Sequence, residues 1–501
     1  MYRMSPRLRA KRVVFLTSAV SFALLFLALF FSSSPTASAL PPPGGSVRAL
    51  PAFARKYGLP CSSCHQAWPM LSPFGQAFKD NGYQLGNERD APIYQNPAYW
   101  PVTFRITPIW HRENENRTQV DGTAGPGTAE ANVTTHGFDL SGLDFHTGGT
   151  LAKNVSFYVL PSSDSTASFH FETVMARLDN LAHTSWLNLK LGKFELDNLL
   201  SEKRILTLTN VAGVYTNYHY QPATENNGVN AAFLPFVFGI GDNQLGMEVM
   251  GHSANDRTRY SVALISSNDG NVGLPTSRSY GTFITASQAF QVGGLGLQRI
   301  GVFDYIGEAP TYFQFTNGNT SGIPGNAAFG IPGTGIGNRN FYRAGLIGQI
   351  YIKKYDVTAM YFHSSDDKYL ATGTPSNAAL ATIPLAPGAQ NAIWNGALFE
   401  SHYTYSPQFI FIQRVELVRM SQQALPIVAG TPYTPGVSVP TANFGNEDVY
   451  TFGGRYYPFM SSRAGFAIHG EYAFSHQIGT SPVSGQNLDF SSLLAGFDFA
   501  F

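Results

Sequence analysis

The only two cysteines of this 501-residue chain stand in "GLPCSSCHQAWPML", residues 58–71, as Cys61 and Cys64, with His65 directly after. Three chemistries use thiols at this spacing. Cys-x-x-Cys-His sets two thiols about one helical turn apart, able to bond both vinyl groups of one haem, and delivers the adjacent imidazole to the iron. A redox dithiol also uses Cys-x-x-Cys, but on a strand–helix scaffold that the surrounding pattern lacks. A structural zinc site needs four ligands. After His65 the next histidine is His111, and no further cysteine exists. The motif therefore reads as covalent attachment of one haem c per chain through Cys61 and Cys64, with His65 as axial iron ligand. Met70 is the only methionine or histidine between His65 and Trp100 and is the candidate sixth ligand. A thioether there would raise the potential. Its competing role is packing on the haem edge, and lumen histidines such as His111 are further candidates.

Haem attachment of this type takes place in the periplasm, and the N-terminus is built for export. Arg3, Arg7, Arg9, Lys11 and Arg12 give a basic start, Val13 to Phe31 is mostly apolar, and "SSSPTASAL" contains Ala37-Ser38-Ala39. This predicts a secretory signal over residues 1–39. A retained membrane helix is the competing reading, since the apolar run is long enough to span a bilayer. The next unit, residues 40–97, is predicted to be a small, mostly helical monohaem cytochrome c segment. It is short for an independent core, so the haem would act as its staple or a barrel would enclose it as a plug.

From residue 98 to 501 the texture changes. Charged residues make up only 13% of the chain, against a soluble-protein norm of ~25%. Aromatics reach 14% and there are 50 glycines. Lys plus Arg equals Asp plus Glu, 32 against 32, so no nucleic-acid partner is indicated. In "VTFRITPIWH", Val102, Phe104, Ile106, Pro108 and Trp110 share one face, and Thr103, Arg105, Thr107 and His111 the other. In "RAGFAIHGEYAF", Phe466, Ile468, Tyr472 and Phe474 oppose His469 and Glu471. "LLAGFDFAF" alternates to the last residue. About 16 such segments occur, starting near Val102, Gly137, Asn154, Phe169, Trp186, Asn243, Thr258, Tyr280, Gly296, Arg339, Tyr355, Ile393, Gln408, Glu447, Ala464 and Leu488. Long links such as "RENENRTQVDGTAGPGTAEANVTT" alternate with short ones such as "SANDR" and "KK". The expected fold is mainly β: an antiparallel transmembrane β-barrel of about 16 strands preceded by the cytochrome segment. The barrel would contact outer-membrane lipid, with the haem segment on the periplasmic side or in the lumen. A secreted soluble β-protein is the competing fold.

The run "PAFARKYGLPCSSCHQAWPMLSPFGQAFKDNGYQL", followed by a barrel carrying "LKLGKFELDNLLSEKRILTLT", resembles the fused monohaem cytochrome c–porins of the bacterial outer membrane, which include Fe(II)-oxidising members. The resemblance implies that Cys61 and Cys64 attach the haem and His65 is its proximal ligand. It also matches Phe53, Ala54, Arg55, Pro69, Phe74, Gly75, Phe78, Gly82 and Tyr83 to the family's surrounding pattern. Gln76 departs from it, standing where many members carry a basic residue. By resemblance, electrons would pass from extracellular Fe(II) or another reductant to periplasmic carriers such as soluble cytochromes, an iron oxidase in effect. The alternative is a diffusion or uptake porin with a small haem plug or sensor. A hydrolase lacks its Gly-x-Ser-x-Gly elbow. Pairs such as His469/Glu471, Glu400/His402 and Glu248/His252 have the residue types to bind metal transiently, or to form a polar lumen.

Overall fold

The computed structural model describes residues 52–57, 59–67, 70–85, 102–121, 129–163, 169–196, 243–266, 280–310, 338–368, 388–423, 446–461, 464–478, 484 and 486–501. The expected signal segment lies outside the described residues. Among the described residues, the segment before the barrel contains three short helices, α1 (Ala52–Tyr57), α2 (Cys61–Cys64) and α3 (Pro73–Asp80). A small hairpin of β1 (His65–Ala67) and β2 (Met70–Leu71) sits between α2 and α3.

Sixteen strands then form a closed barrel. They are β3 (Val102–Val120), β4 (Ala129–Ala152), β5 (Val155–Ser163), β6 (Phe169–Leu178), β7 (Asn188–Glu195), β8 (Asn243–His252), β9 (Thr258–Ser266) and β10 (Tyr280–Val292). The second half comprises β11 (Gly296–Pro310), β12 (Asn338–Ile352), β13 (Tyr355–Asp366), β14 (Ala392–Ser406), β15 (Phe409–Gln422), β16 (Glu447–Met460), β17 (Gly465–Gln477) and β18 (Leu488–Ala500). Each strand pairs antiparallel with the next, and β18 pairs with β3. Phe501 completes the seam. Its backbone exchanges hydrogen bonds with Phe104 at 2.9 and 3.0 Å, and the two rings stack at 5.2 Å.

Period-2 alternation explains the closure. In β17, Ile468 and Tyr472 are exposed while His469 and Glu471 are buried; in β18, Leu493 and Phe497 are exposed while Leu494 and Asp498 are buried. Apolar side chains thus point outward and charged ones inward, the inverse of a soluble β-protein. On the other side of the bore the inner face also carries large aromatic side chains. There Phe283, Phe303, Tyr305, Phe341, Phe362 and Trp394 belong to one buried cluster that reaches Phe78 and Tyr83 of the N-terminal unit.

The observed strand starts agree closely with the sequence reading except at the second strand. That strand begins at Ala129 rather than near Gly137. Most of the stretch read from the sequence as a long link is strand, because its polar side chains pair across the β3–β4 hairpin. Asn114 Nδ2 donates to Asn132 Oδ1 at 2.6 Å and to Thr134 Oγ1 at 2.8 Å, and Arg117 pairs with Glu130 at 2.8 Å. Cross-strand polar pairs stabilise strands without any apolar face.

Candidate functional site

The cysteine motif takes its shape from its neighbours in sequence. Pro60 precedes α2 in an extended conformation, and the four-residue helix holds Cys61 and Cys64 one turn apart. Ser72 then ties that turn to α3. Its hydroxyl accepts from the Gly75 N–H at 3.1 Å, capping α3, and donates to the Ser63 carbonyl at 2.9 Å. The Ser72 N–H donates to the Cys64 carbonyl at 2.8 Å. Gly75 allows this approach, since a Cβ there would stand 2.0 Å from the Cys64 carbonyl oxygen.

The barrel wall then fixes the segment. The Cys61 N–H and thiol both donate to the Ser461 carbonyl, at 3.3 and 3.0 Å, in the short link between β16 and β17. At the other end of α3, Arg177 of β6 donates to the carbonyls of Lys79, at 2.9 Å, and Asp80. A cation at a helix C-terminus satisfies its unpaired carbonyls. Asp179 binds Arg177 Nε at 2.6 Å, Arg259 of β9 pairs with Asp80, and Lys79 pairs with Glu195 at 2.7 Å. Gly82 is required at its position: its φ is +70°, and a Cβ would meet Asp179 Oδ2 at 2.2 Å. Ser461, Asp179 and Arg259 all lie at the end of the barrel that carries the short turns, while Glu195 lies at the far end of β7. The segment therefore docks inside the bore from the short-turn end.

Between segment and wall lies a cavity of about 200 Å³. Cys61, Cys64 and His65 all line it, together with Phe53, Leu71 and Phe78 from the segment and Leu160 and Met175 from the wall. Phe53 stacks on Tyr83 at 5.1 Å and meets Phe78 edge-on at 5.3 Å, so three residues of the family-like pattern form one aromatic cluster beside the thiols. Burial pushes the Cys61 thiol up to about 12 and the Cys64 thiol up to about 11. Both are therefore protonated at neutral pH, unlike the thiolate of a redox dithiol. Among the described residues no group of three His, Cys, Asp or Glu is placed to hold a metal ion. Two buried thiols and an adjacent imidazole beside the apolar side chains of this cavity are the groups that a covalently attached haem would use.

Met70 is directed elsewhere. Leu71 faces the cavity, and side chains alternate along β2, so Met70 turns to the opposite side. It is 1% exposed and packs with Ile410, Ile412, Tyr457 and Ala467 of the wall. His111 is likewise not among the residues lining the cavity; it faces Glu113 at 3.7 Å. The lumen histidine at the cavity is His146 of β4. The sequence reading missed it, although "GLDFHTGGTLAK" puts it on the same alternation as Asp144, just before a short turn. Arg177 and Arg259 were missed too, their only local signal being a charge at an inward position.

The carboxylate–histidine pairs have partners of their own. His402 Nε2 lies 2.6 Å from Glu400 Oε1, and Arg414 pairs with Glu400 at 3.5 Å. Glu248 is held by Lys190 and Ser261, apart from His252, which bonds the Ser253 carbonyl at 3.0 Å. Arg455 pairs with Asp498 at 3.1 Å. These networks form a polar lining in the bore. Glu248, Glu400 and Arg455 are each 0% exposed, so this lining does not face open water.

No protein-family model matches the chain, and no curated protein matches it. Among solved structures it is similar to OmpT, an outer membrane protein of Vibrio cholerae, at 10% identity over 80% of this chain and 97% of that one, with a TM-score of 0.41. It is similar to an anion-selective porin from Comamonas acidovorans at 9% identity, covering 80% and 98%, with a TM-score of 0.42. It is also similar to the outer membrane channel DcaP of Acinetobacter baumannii at 9% identity, covering 80% and 97%, with a TM-score of 0.41.

Proposed function

We propose that this chain is an outer-membrane cytochrome–porin that passes electrons between an extracellular donor, Fe(II) in the first instance, and periplasmic carriers such as soluble cytochromes. The observation that carries this reading is the convergence of Cys61, Cys64 and His65 on one cavity between plug and barrel wall. When bound, haem c supplies one-electron redox chemistry. Cys61 and Cys64 would hold it by thioether bonds, and His65 would offer its imidazole to the iron. Phe53, Phe78 and Leu160, which line the cavity, would shield it from water. Arg177 and Arg259 hold the plug against the wall through the C-terminus of α3. The barrel carries this unit in the bilayer, its apolar outer face toward lipid and its short turns toward the periplasm.

A diffusion or uptake porin is the second reading, favoured by the barrel itself, since 16 strands commonly enclose an aqueous channel. Against it stand the docked plug and the buried lining at Glu248, Glu400 and Arg455. Purified protein in liposomes separates the two. Reduction of the haem by external Fe(II), without solute leak, is the expected result. Rapid solute flux with a haem silent toward outside reductants sinks the conduit reading. A potential well below the Fe(III)/Fe(II) couple under working conditions points to a different donor.

A further inference from the structure

A second cavity, of about 360 Å³, lies between the Leu71–Gln76 stretch of the plug and the wall from β9 to β13. Asn255, exposed in the β8–β9 turn, and Leu295, 42% exposed in the β10–β11 link, also line it, so it meets solvent at the short-turn end. Arg299 lines it too, as does Arg259, which is paired with Asp80 and Asp256. On its β13 side stands Asp356, 6% exposed, whose Oδ1 has no hydrogen-bond partner. A buried carboxylate oxygen left unpaired at a polar cavity is a place for water. Behind Asp356 the wall continues as a row of ionisable groups. His402 of β14 is its register partner, and His402 Nδ1 lies 3.8 Å from Asp356 Oδ2 with no hydrogen bond of its own. The other ring nitrogen, Nε2, lies 2.6 Å from Glu400 Oε1. Beyond Glu400 come Arg414, at 3.5 Å, and Glu416, 3.1 Å from Arg414 Nε; Glu471 also faces Arg414. His402 and Glu400 are 1% and 0% exposed and do not line the cavity, so Asp356 stands between them and it.

We infer that Asp356, His402 and Glu400 relay protons between the solvent at the short-turn end and the charged lining of the bore. A proton taken up by Asp356 from cavity water passes to Nδ1 of His402 while the proton on Nε2 passes to Glu400; the reverse sequence returns it. The Nε2–H tautomer thus passes a proton inward and the Nδ1–H tautomer passes one outward, and the ring has the same charge before and after. The 3.8 Å step closes when Asp356 turns toward the ring or a cavity water joins it. The inference stands apart from the haem reading, since each group belongs to the barrel wall. A relay at this place lets a change of charge in the bore, such as an arriving electron, be matched by a proton from the short-turn side.

The test uses the full chain, as purified, in liposomes where protease access shows a single orientation. Time-resolved infrared difference spectra are recorded after a pH jump on one side. Carboxyl and imidazole bands that are lost in Glu400→Gln and His402→Gln report the relay. In wild type these bands are expected to follow a jump on the short-turn side and to lag one on the opposite side. Bands that answer first to the opposite side, or no bands from these two residues, overturn the inference, and the sidedness needs no Asp356 variant. Asp356→Asn is expected to slow the response by about 100-fold, the order by which a positioned acid–base group speeds proton transfer. Asp356→Glu, with the cavity to take its extra methylene, is expected to keep the fast response, which separates proton carriage from packing. An unchanged rate in Asp356→Asn, or equal slowing in both variants, also overturns it.

Discussion

Gly75 and Cys64 meet backbone to backbone: a Cβ on Gly75 would stand 2.0 Å from the Cys64 carbonyl oxygen and 3.0 Å from its Cα. This contact presses the first turn of α3 onto the cysteine turn, and the Ser72 cap locks it. Gly75→Ala forces the two apart. Overpacking of this kind costs about 1–3 kcal/mol. The expected outcome is a barrel that still assembles but carries less covalent haem per chain, read by haem staining against total protein. Wild-type haem content in this variant would show that the contact is dispensable.

Arg177 is the hinge pin at the other end of α3. It is 3% exposed, caps the helix through two carbonyls and pairs with Asp179. Arg177→Met leaves Asp179 buried without its cation, and breaking a buried pair in this way costs about 3–5 kcal/mol. Limited proteolysis should then cut between residues 52 and 85 in assembled protein, and liposomes should leak small solutes. Equal resistance to protease and leak in mutant and wild type would argue that α3 is held by other contacts.

The thiols give a pH dependence for protein made without haem. Both cysteines are shifted upward by burial, from 9.0 to about 12 for Cys61 and about 11 for Cys64. A raised thiol favours the folded state while protonated. That contribution is complete below pH 9 and is lost as pH rises through 11 to 12. Iodoacetamide reacts with the thiolate, so alkylation of the folded haem-free protein should stay slow at pH 9 and accelerate only towards pH 11. In denaturant the same cysteines should react with a midpoint near 9.0. Identical profiles in the two states would contradict burial of the motif.

The outer face can be tested at Leu346 of β12, which is 57% exposed beside inward Gly345 and Ile347. Leu346→Arg places a charge in lipid at a cost of about 2–4 kcal/mol near the bilayer midplane. Reduced heat-modifiable barrel on gels and a lower urea midpoint in lipid are expected. A soluble β-protein would lose nothing by this change, and an unaltered midpoint would count against a lipid-facing wall.

Much of the barrel was legible because its rule is local. At positions 468 to 472 the alternation of Ile and Tyr with His and Glu is the two faces of the wall, written in order along the chain. Strand starts such as Asn243, Thr258, Tyr280, Gly296, Tyr355, Glu447 and Leu488 coincide with the observed ones for the same reason. The β3–β4 extension was less legible. Asn114, Arg117 and Glu130 look like loop residues until they are paired across the hairpin. The β1–β2 hairpin is too short to show a period, and one residue of its register decides that Leu71 and not Met70 meets the cavity.

By itself, the sequence determined the features set by spacing along the chain: a Cys-x-x-Cys-His motif and about 16 alternating segments. The tertiary structure decided the contacts between residues distant in sequence. Cys61 bonds to Ser461, 400 residues away, and Lys79 pairs with Glu195, 116 residues away. Local patterning sets which face a side chain takes, because successive residues of a strand point to opposite sides. It carries no information on which inward residue of sixteen strands meets which residue of the plug. Barrel closure fixes that, and with it the placement of His146 rather than His111 at the cavity and the docking of the cysteine motif inside the bore.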